Sequence, residues 1–359
     1  MDLQQIMYHP KLLKIMRYDY FIGADISKPF IDFVVLDQNG EKLFYLQVEN
    51  TRTDLTRFVK DLSKKYTLSN CLFCMENTGI YNEHLLHTLY KRHANIWLEK
   101  AIQIKQSLGL QRGKNDQVDA FRVALYAYKH QKDVCLWEPE RTVISELRRY
   151  TSLRSRLIGI VVTLSNPLQE LEQFTKKQEY NALKRHCQSS LNALKSDIKK
   201  VEARIDKLIV EDPYLDKLFN LVTSVDGVGK VVAQEFIIAT GEFKRITDPK
   251  KFACYSGVVP FEHSSGISIR GKTRVSPLAN KRMKKLLHLS ALINVQLEGD
   301  LQTYYHKKVA EGKNKMSVLN AVRNKIIARV FACVRKNEKY QRSFLSKNRE
   351  APIEKECTG

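Results

Sequence analysis

Residues 19–49 alternate with the short period of strands. Tyr20-Phe21-Ile22-Gly23-Ala24 is apolar and stops at Asp25, and Phe30 to Leu36 is rich in β-branched and aromatic residues. Gln38-Asn39-Gly40 supplies a hairpin turn, because Asn-Gly takes positive φ at little cost, and Leu43 to Val48 returns as a third strand. The period then lengthens. Leu55, Phe58, Val59 and Leu62 share one face of a helix over 51–65. Cys71 to Met75 is a short apolar strand ending at Glu76, a helix is predicted from about Tyr81 to Arg92, and Ala94 to Leu98 is another strand. A strong helix follows from Asn115 to Lys129, capped by Asn115 or Asp116. Three strands followed by alternating helix and strand predict a mixed sheet with helices on its faces.

From about 140 to 212 the pattern is that of long helix. Leu191, Leu194, Ile198, Val201, Ile205 and Leu208 step three and four residues at a time, as in a coiled-coil seam. Tyr150, Leu153, Leu157, Ile160 and Leu164 do the same upstream, and Pro167 is expected to kink or end that arm. Two long helices follow from this, folded on each other or on a partner chain. Asp212-Pro213 marks the next boundary. Leu221 to Val225, Asp226-Gly227-Val228-Gly229-Lys230 and Val231 to Ile238 read as helix, tight glycine turn, helix. A polar Ser/Gly/Arg/Lys stretch over 262–276 leads to a basic helix from about Leu278 to Leu297, and 301–345 holds another basic helix before a frayed end.

Charge singles out the last third. Residues 1–130 carry 18 basic and 14 acidic side chains and residues 131–243 carry 17 and 16, whereas residues 244–359 carry 25 and 9. Most of the net +21 therefore sits at the C-terminal end, where a polyanion such as nucleic acid is the expected partner. With 43% hydrophobic residues the chain has enough apolar material for a core, which excludes global disorder. Seven Cys spread along the chain do not form a disulfide framework and fit a reducing cytoplasm. Cys71 and Cys74 have CxxC spacing but sit in an apolar strand with no second Cys/His pair, so a zinc site is not expected. Met1 to Tyr20 lacks an apolar signal core, and no stretch reaches the ~18 apolar residues of a membrane span.

Four acids stand at element boundaries: Asp25 after the first strand, Glu76 after the fourth, and Asp116 and Asp119 one helical turn apart with Cβ atoms roughly 5–6 Å from each other. Each alone is also what a helix cap, a strand end or a solvated face contains. Together, converging at one sheet edge, they would repel unless cations neutralise them, and hard oxygen ligands suit Mg²⁺ or Mn²⁺. A pair of such ions stabilises the attacking and leaving oxygens of phosphoryl transfer.

With these residues in place the chain resembles a known family. Ile22-Gly23-Ala24-Asp25-Ile26-Ser27-Lys28, Met75-Glu76-Asn77-Thr78-Gly79 and Lys114-Asn115-Asp116-Gln117-Val118-Asp119-Ala120 are similar to the DEDD signature of insertion-sequence transposases with a RuvC-like, ribonuclease-H-type domain. Val225-Asp226-Gly227-Val228-Gly229 resembles that family's helix-hairpin-helix-like turn. Gly257 to Gly266, Arg270-Gly271-Lys272-Thr273-Arg274 and Lys281 to Leu287 resemble its serine-bearing transposase domain. The family is the bridge-RNA-guided recombinases, insertion-sequence family one-ten, and the likeness spans 20–300. Asn115 departs from the Thr often found before the first helix Asp, and the chain after 301 has little to match.

The resemblance implies an α/β RuvC-like domain over 1–135, a helical coiled-coil arm over 136–212, a mainly α transposase domain over 213–345 and a tail over 346–359. It implies that Asp25, Glu76, Asp116 and Asp119 hold Mg²⁺ or Mn²⁺, and that a serine attacks DNA to form a phosphoserine. Spacing from Pro260 and Gly266 selects Ser265 for that role, with Ser264 in reserve; on the residues alone this is a polar loop whose hydroxyls cap or bind phosphate. Arg270, Lys272 and Arg274 supply cations nearby, Lys281, Arg282, Lys284 and Lys285 are expected on phosphates, and Gly227, Gly229 and Lys230 form either a plain tight turn or one whose amides meet a phosphate. A structured non-coding guide RNA, target and donor DNA, and a second copy of the chain in a dimer or tetramer are the implied partners, in the bacterial cytoplasm. A metal-dependent nuclease or junction resolvase, and an inactive nucleic-acid-binding relic, are the alternatives.

Overall fold

A computed structural model describes residues 18–107, 115–259, 261–265, 269–275 and 278–342, with only the backbone described over 261–265 and 269–274. Tyr20–Ile26 (β1), Phe30–Leu36 (β2) and Lys42–Glu49 (β3) form an antiparallel meander, crossed over by Arg52–Lys65 (α1) to Cys71–Glu76 (β4). Glu83–Tyr90 (α2) leads to Asn95–Glu99 (β5), and Ala101–Ser107 (α3) and Asp116–Lys129 (α4) complete this part. The sheet order is β3-β2-β1-β4-β5, with β4 parallel to both β1 and β5. This is the mixed sheet the sequence predicts; only the short α3 has no counterpart in that reading.

Side-chain alternation divides the sheet into two apolar faces. Ile22, Ala24, Phe33, Val35, Phe73 and Met75 pack on one face with Leu55, Val59 and Leu62 of α1 and Leu85 and Leu89 of α2. Phe21, Val34, Leu36, Leu72 and Cys74 pack on the other with Ala120, Val123, Ala124 and Ala127 of α4. Cys71 and Cys74 fall on opposite faces, as odd spacing in a strand requires, so the CxxC pair does not converge on one point. Thr51 caps α1 by accepting from the Asp54 amide, and Asn115 caps α4 by accepting from the Val118 amide.

The chain divides into two compact units, 1–139 and 140–359. In the second, Thr142–Phe174 (α5) and Lys177–Glu211 (α6) fold back on each other, so the coiled-coil seam is satisfied within the chain. Arg154 pairs with Glu202 at 2.6 Å and Arg204 with Glu146 at 3.1 Å across that seam. Pro167 does not end the helix: α5 runs on to Phe174. Pro167 and Thr163, whose carbonyl loses its amide partner, are exposed, so water is at hand for the freed group.

The base of the arm, Ile144, Leu147, Val201, Ile205 and Ile209, joins one core with the remaining helices. These are Pro213–Thr223 (α7), Lys230–Thr240 (α8), Pro249–Tyr255 (α9), Lys281–Gln296 (α10), Asp300–Ala310 (α11) and Lys315–Lys336 (α12). Phe236 stacks on Phe252 at its centre, and Phe331 meets Phe252 at a tilt. The region after 301 holds two helices rather than the single one expected. Within the stretch read as a polar loop, the backbone of Phe261–Ser265 (β6) pairs antiparallel with that of Ile269–Arg274 (β7). Its polar sequence lacks the alternation that announces a strand, and antiparallel backbone pairing alone defines it. The tail over 346–359 lies outside the described residues.

Gly23 determines how closely α4 approaches the sheet. A Cβ built there would stand 2.3 Å from the Ala120 carbonyl oxygen and 2.3 Å from the Ala124 amide nitrogen. Both are backbone atoms and cannot swing aside. Gly23→Ala is therefore expected to destabilise the N-terminal unit by more than about 3 kcal/mol, at or above the usual range for overpacking. Thermal unfolding monitored by circular dichroism checks this; a melting curve like that of wild type would mean α4 does not lie against β1.

Candidate active site

The strand register places three acids on the face covered by α4. Asp25 follows Phe21 and Gly23 at even spacing, Glu76 follows Leu72 and Cys74, and Asp32 precedes Val34 and Leu36, all on that face. Ala24 pairs with Met75 in the parallel β1–β4 ladder, so Asp25 and Glu76 leave the sheet side by side. Asp25 pairs directly with Asp32 across the β1–β2 ladder. Because α4 crosses β1 at Gly23, its first turn, carrying Asp116 and Asp119, begins beside these strand ends. Asp25 is the penultimate residue of β1, which continues to Ile26.

The neighbouring acids are felt electrostatically at Asp25. Burial first, and then the charges of Asp119, Glu76, Asp116 and Asp32 in that order, together push the Asp25 carboxyl up to about 6. Burial also raises Glu76, with Asp119 adding to the effect and the Lys105 cation opposing it. Two cations thus moderate the cluster: Lys105 beside Glu76, and Arg122, whose guanidinium meets Asp119 at 2.7 Å. Among the described residues no three acidic, His or Cys side chains are assembled as a ready cation cage. The four acids face one another at distances where repulsion is felt, and their oxygens are the hard donors a divalent cation takes. That donor chemistry fits a divalent metal at this site.

The loop after β4 is held rigidly. Buried Asn82 donates to the Glu76 carbonyl at 2.8 Å and accepts from the Thr78 amide and hydroxyl at 2.7 and 2.8 Å. Two acids of the same face escaped the sequence reading. Asp32 is 2% exposed and accepts from Tyr45 Oη at 2.6 Å and Gln47 Nε2 at 3.1 Å, which drives the Tyr45 hydroxyl up to about 12. Glu99 pairs with Glu76 across β4–β5 and accepts from Tyr126 Oη at 3.3 Å. An aspartate inside the apolar run Phe30 to Leu36 was the available signal for the first. For Glu99, at the end of its strand, the sequence offered none.

The remaining candidates lie in the second unit. Ser264 pairs with Arg270 and Ser265 with Ile269 in the β6–β7 ladder, and Lys272 and Arg274 lie further along β7. The side chains of Ser264, Ser265, Arg270, Lys272 and Arg274 lie outside the described residues. Gly227 is needed for a close approach as well as for its φ of 73°: a Cβ there would meet Asn294 Nδ2 at 2.2 Å and the Ser290 carbonyl at 2.7 Å. Gly229 caps α8 facing open space. Lys230 pairs with Asp206 at 2.9 Å and Arg282 with Glu235 at 3.1 Å, so both cations are already engaged. Lys281, Lys284 and Lys285 have no acidic partner among the described residues and line a cleft between α10 and α12.

Comparison with known proteins matches this arrangement in order. A transposase profile of DEDD type covers residues 22–175, the span that contains all four acids. A second profile, for transposases of the IS116/IS110/IS902 family, covers residues 219–306. Over these two spans the chain matches IS110-family transposase domains. Pilin gene-inverting proteins of Moraxella bovis and Moraxella lacunata are each 23% identical over 328 residues, 90% of this chain and 98% of theirs. An uncharacterised protein of insertion element IS110 from Streptomyces coelicolor is 29% identical over 43% of this chain and 36% of its own. A DEDD-type domain implies dependence on a divalent metal, and a transposase domain implies DNA as substrate. Among the described residues no helix is long and apolar enough to cross a membrane.

The raised carboxyl of Asp25 has a signed consequence for stability. Its folded pKa, about 6, lies above the ordinary 3.8, so its contribution is complete below about pH 4 and is lost as pH rises through 6. In EDTA the N-terminal unit should therefore melt at a lower temperature at pH 7 than this group alone would allow at pH 4. Asp25→Asn should stabilise the metal-free protein at pH 7, by about 1 kcal/mol once solvent screening of this half-open site is allowed for. Differential scanning calorimetry of both proteins in EDTA reads this directly. A lower melting temperature for Asp25→Asn at pH 7 would show that the acids do not repel one another.

Proposed function

We propose that this protein is a recombinase of a mobile element, which cuts and rejoins DNA through Ser265 and takes its sequence choice from a structured RNA. The observation that carries the reading is the convergence of Asp25, Glu76, Asp116 and Asp119 on one face of the sheet, in a chain that also bears the second transposase domain. The relatives favour rejoining over hydrolysis. A protein that inverts a gene has to reseal every end it cuts, and two such proteins align with nearly the whole chain. The net +16 over residues 244–359 suits a protein that holds RNA and DNA together.

In this mechanism Ser265 Oγ attacks the phosphorus. Its P–O bond to one deoxyribose breaks, the Ser265 proton leaves to solvent, and a free hydroxyl end is released. A hydroxyl end of the exchanged strand then attacks the phosphoserine and regenerates Ser265, so the number of phosphodiesters is conserved. Mg²⁺ or Mn²⁺ held by the four carboxylates would supply the positive charge that the crowded phosphate oxygens need. Arg270 pairs with Ser264, the residue before the proposed nucleophile, in the hairpin ladder. Two strands exchanged need at least two serines, and hence a dimer or tetramer.

A nicked suicide duplex incubated with wild-type protein, its co-expressed RNA and Mg²⁺ should yield a protein–DNA adduct on denaturing gels. Ser265→Ala and Asp25→Ala should each abolish it, and ribonuclease treatment should abolish site-specific formation. An adduct that maps to Ser264 would move the nucleophile by one residue. Cleavage with free ends and no adduct would replace the serine mechanism with metal-dependent hydrolysis, as in a junction resolvase.

A further inference from the structure

The cleft between α10 and α12 has an incomplete electrostatic inventory. It encloses about 550 Å³ and opens to solvent, with Lys281, Lys284 and Lys285 on one wall. Arg323 of α12 lines it and is only 5% exposed. Its guanidinium donates to His288 Nδ1 at 2.6 Å and to Asn320 Oδ1 at 3.2 Å, and its Nε has no partner. No carboxylate pairs with Arg323 among the described residues. The other well-covered arginines differ: Arg122, Arg154 and Arg329 each meet an acid.

A buried guanidinium is costly unless an anion accompanies it. Here both acceptors are neutral. His288 accepts at Nδ1, so its proton sits on Nε2 and the ring adds no charge of its own; burial and the neighbouring Arg323 both disfavour its cationic form. The wall opposite adds positive charge rather than cancelling it. The charge of Arg323, held beneath the cleft without a carboxylate, adds to that of the lysines on its wall, and a cleft of this sign suits a phosphodiester.

The position of the cleft says which phosphate. Asn320 donates to the Val258 carbonyl, which ties α12 to the chain just before β6. Val275, the residue after β7, lines the cleft itself. Both ends of the hairpin that carries Ser264 and Ser265 are thus anchored at this cleft.

We propose that the α10–α12 cleft is a DNA phosphate site, in which Arg323, Lys281, Lys284 and Lys285 grip the strand that runs onto the β6–β7 hairpin. This rests on DNA as the substrate, and the hairpin gives it a role: a strand held at the hairpin's base is directed along it toward Ser265 at its turn end. The cations at Arg282 and Lys230, which already have partners, contribute little.

Binding of a fluorescent 30-base-pair duplex by the full-length protein tests it, read by anisotropy across a salt series. Ser317 lies at the cleft, is exposed, and sits in the first turn of α12, where an acid suits the helix dipole. Ser317→Glu should therefore fold normally and weaken duplex binding at least 10-fold, lowering the salt slope by about one unit. Arg323→Gln should do the same, and Arg323→Lys should recover part of the loss. Should Arg323→Gln unfold, Ser317→Glu decides alone. Wild-type affinity and slope in folded Ser317→Glu would overturn the site, and so would a loss confined to an RNA hairpin probe. The serine reading fails separately, through absence of the covalent adduct with wild-type protein, whatever the duplex affinities prove to be.

Discussion

The contact on which the N-terminal unit depends is backbone against backbone, where α4 crosses β1 at Gly23. No side chain separates the two elements, and the missing Cβ is what lets the Ala120 and Ala124 backbone lie there. Small residues on α4, Ala120, Ala124 and Ala127, are the matching half of that approach. The consequence is functional. Asp116 and Asp119 begin α4, so the depth at which the helix sits decides how close their carboxylates come to Asp25 and Glu76. A looser helix would leave four unrelated surface acids.

Bringing them together works against folding. Asp25 is half-buried and repelled by four neighbours, and its carboxyl is pushed up to about 6 as a result. Arg122 and Lys105 relieve part of this, each from one side. The site is thus poised: negative enough to want a divalent cation, moderated enough to stand without one. Such local instability at a functional site is tolerated because the two apolar faces of the sheet supply stability elsewhere.

The basic C-terminal third shows why counting charge is not the same as locating it. Arg282, Arg329 and Arg342 are each held by an acid of their own unit, Glu235, Asp300 and Asp226. Arg342 clamps both oxygens of Asp226 in the glycine turn, so that turn is braced from the far end of the chain. On α10, Lys281, Lys284 and Lys285 have no acidic partner among the described residues and share one wall of one cleft. A helix that looks uniformly basic in sequence therefore has one engaged and three available charges within its first turn and a half.

Local pattern was enough to define most elements and to single out four acids at their boundaries. The five strands follow from apolar runs bounded by turns, and α4 from its cap and period, because these are short-range preferences that every tertiary arrangement must respect. The seam of Leu191, Val201, Ile205 and Leu208 was likewise legible, but not its partner, which the fold of α6 onto α5 supplied. The hairpin over 261–274 was hidden, since its strands are paired through backbone and carry no alternating pattern. Asp32 and Glu99 joined the acid face only once the register was known, because facing direction is a property of pairing rather than of sequence. Arg323 was one cation among sixty until tertiary packing buried it beside His288 without an acid. Sequence alone determines which groups are present and in what order. Which of them lose water, meet a like charge or lack a counter-ion is decided by contacts between residues far apart in the chain, and those arise only from the folded structure.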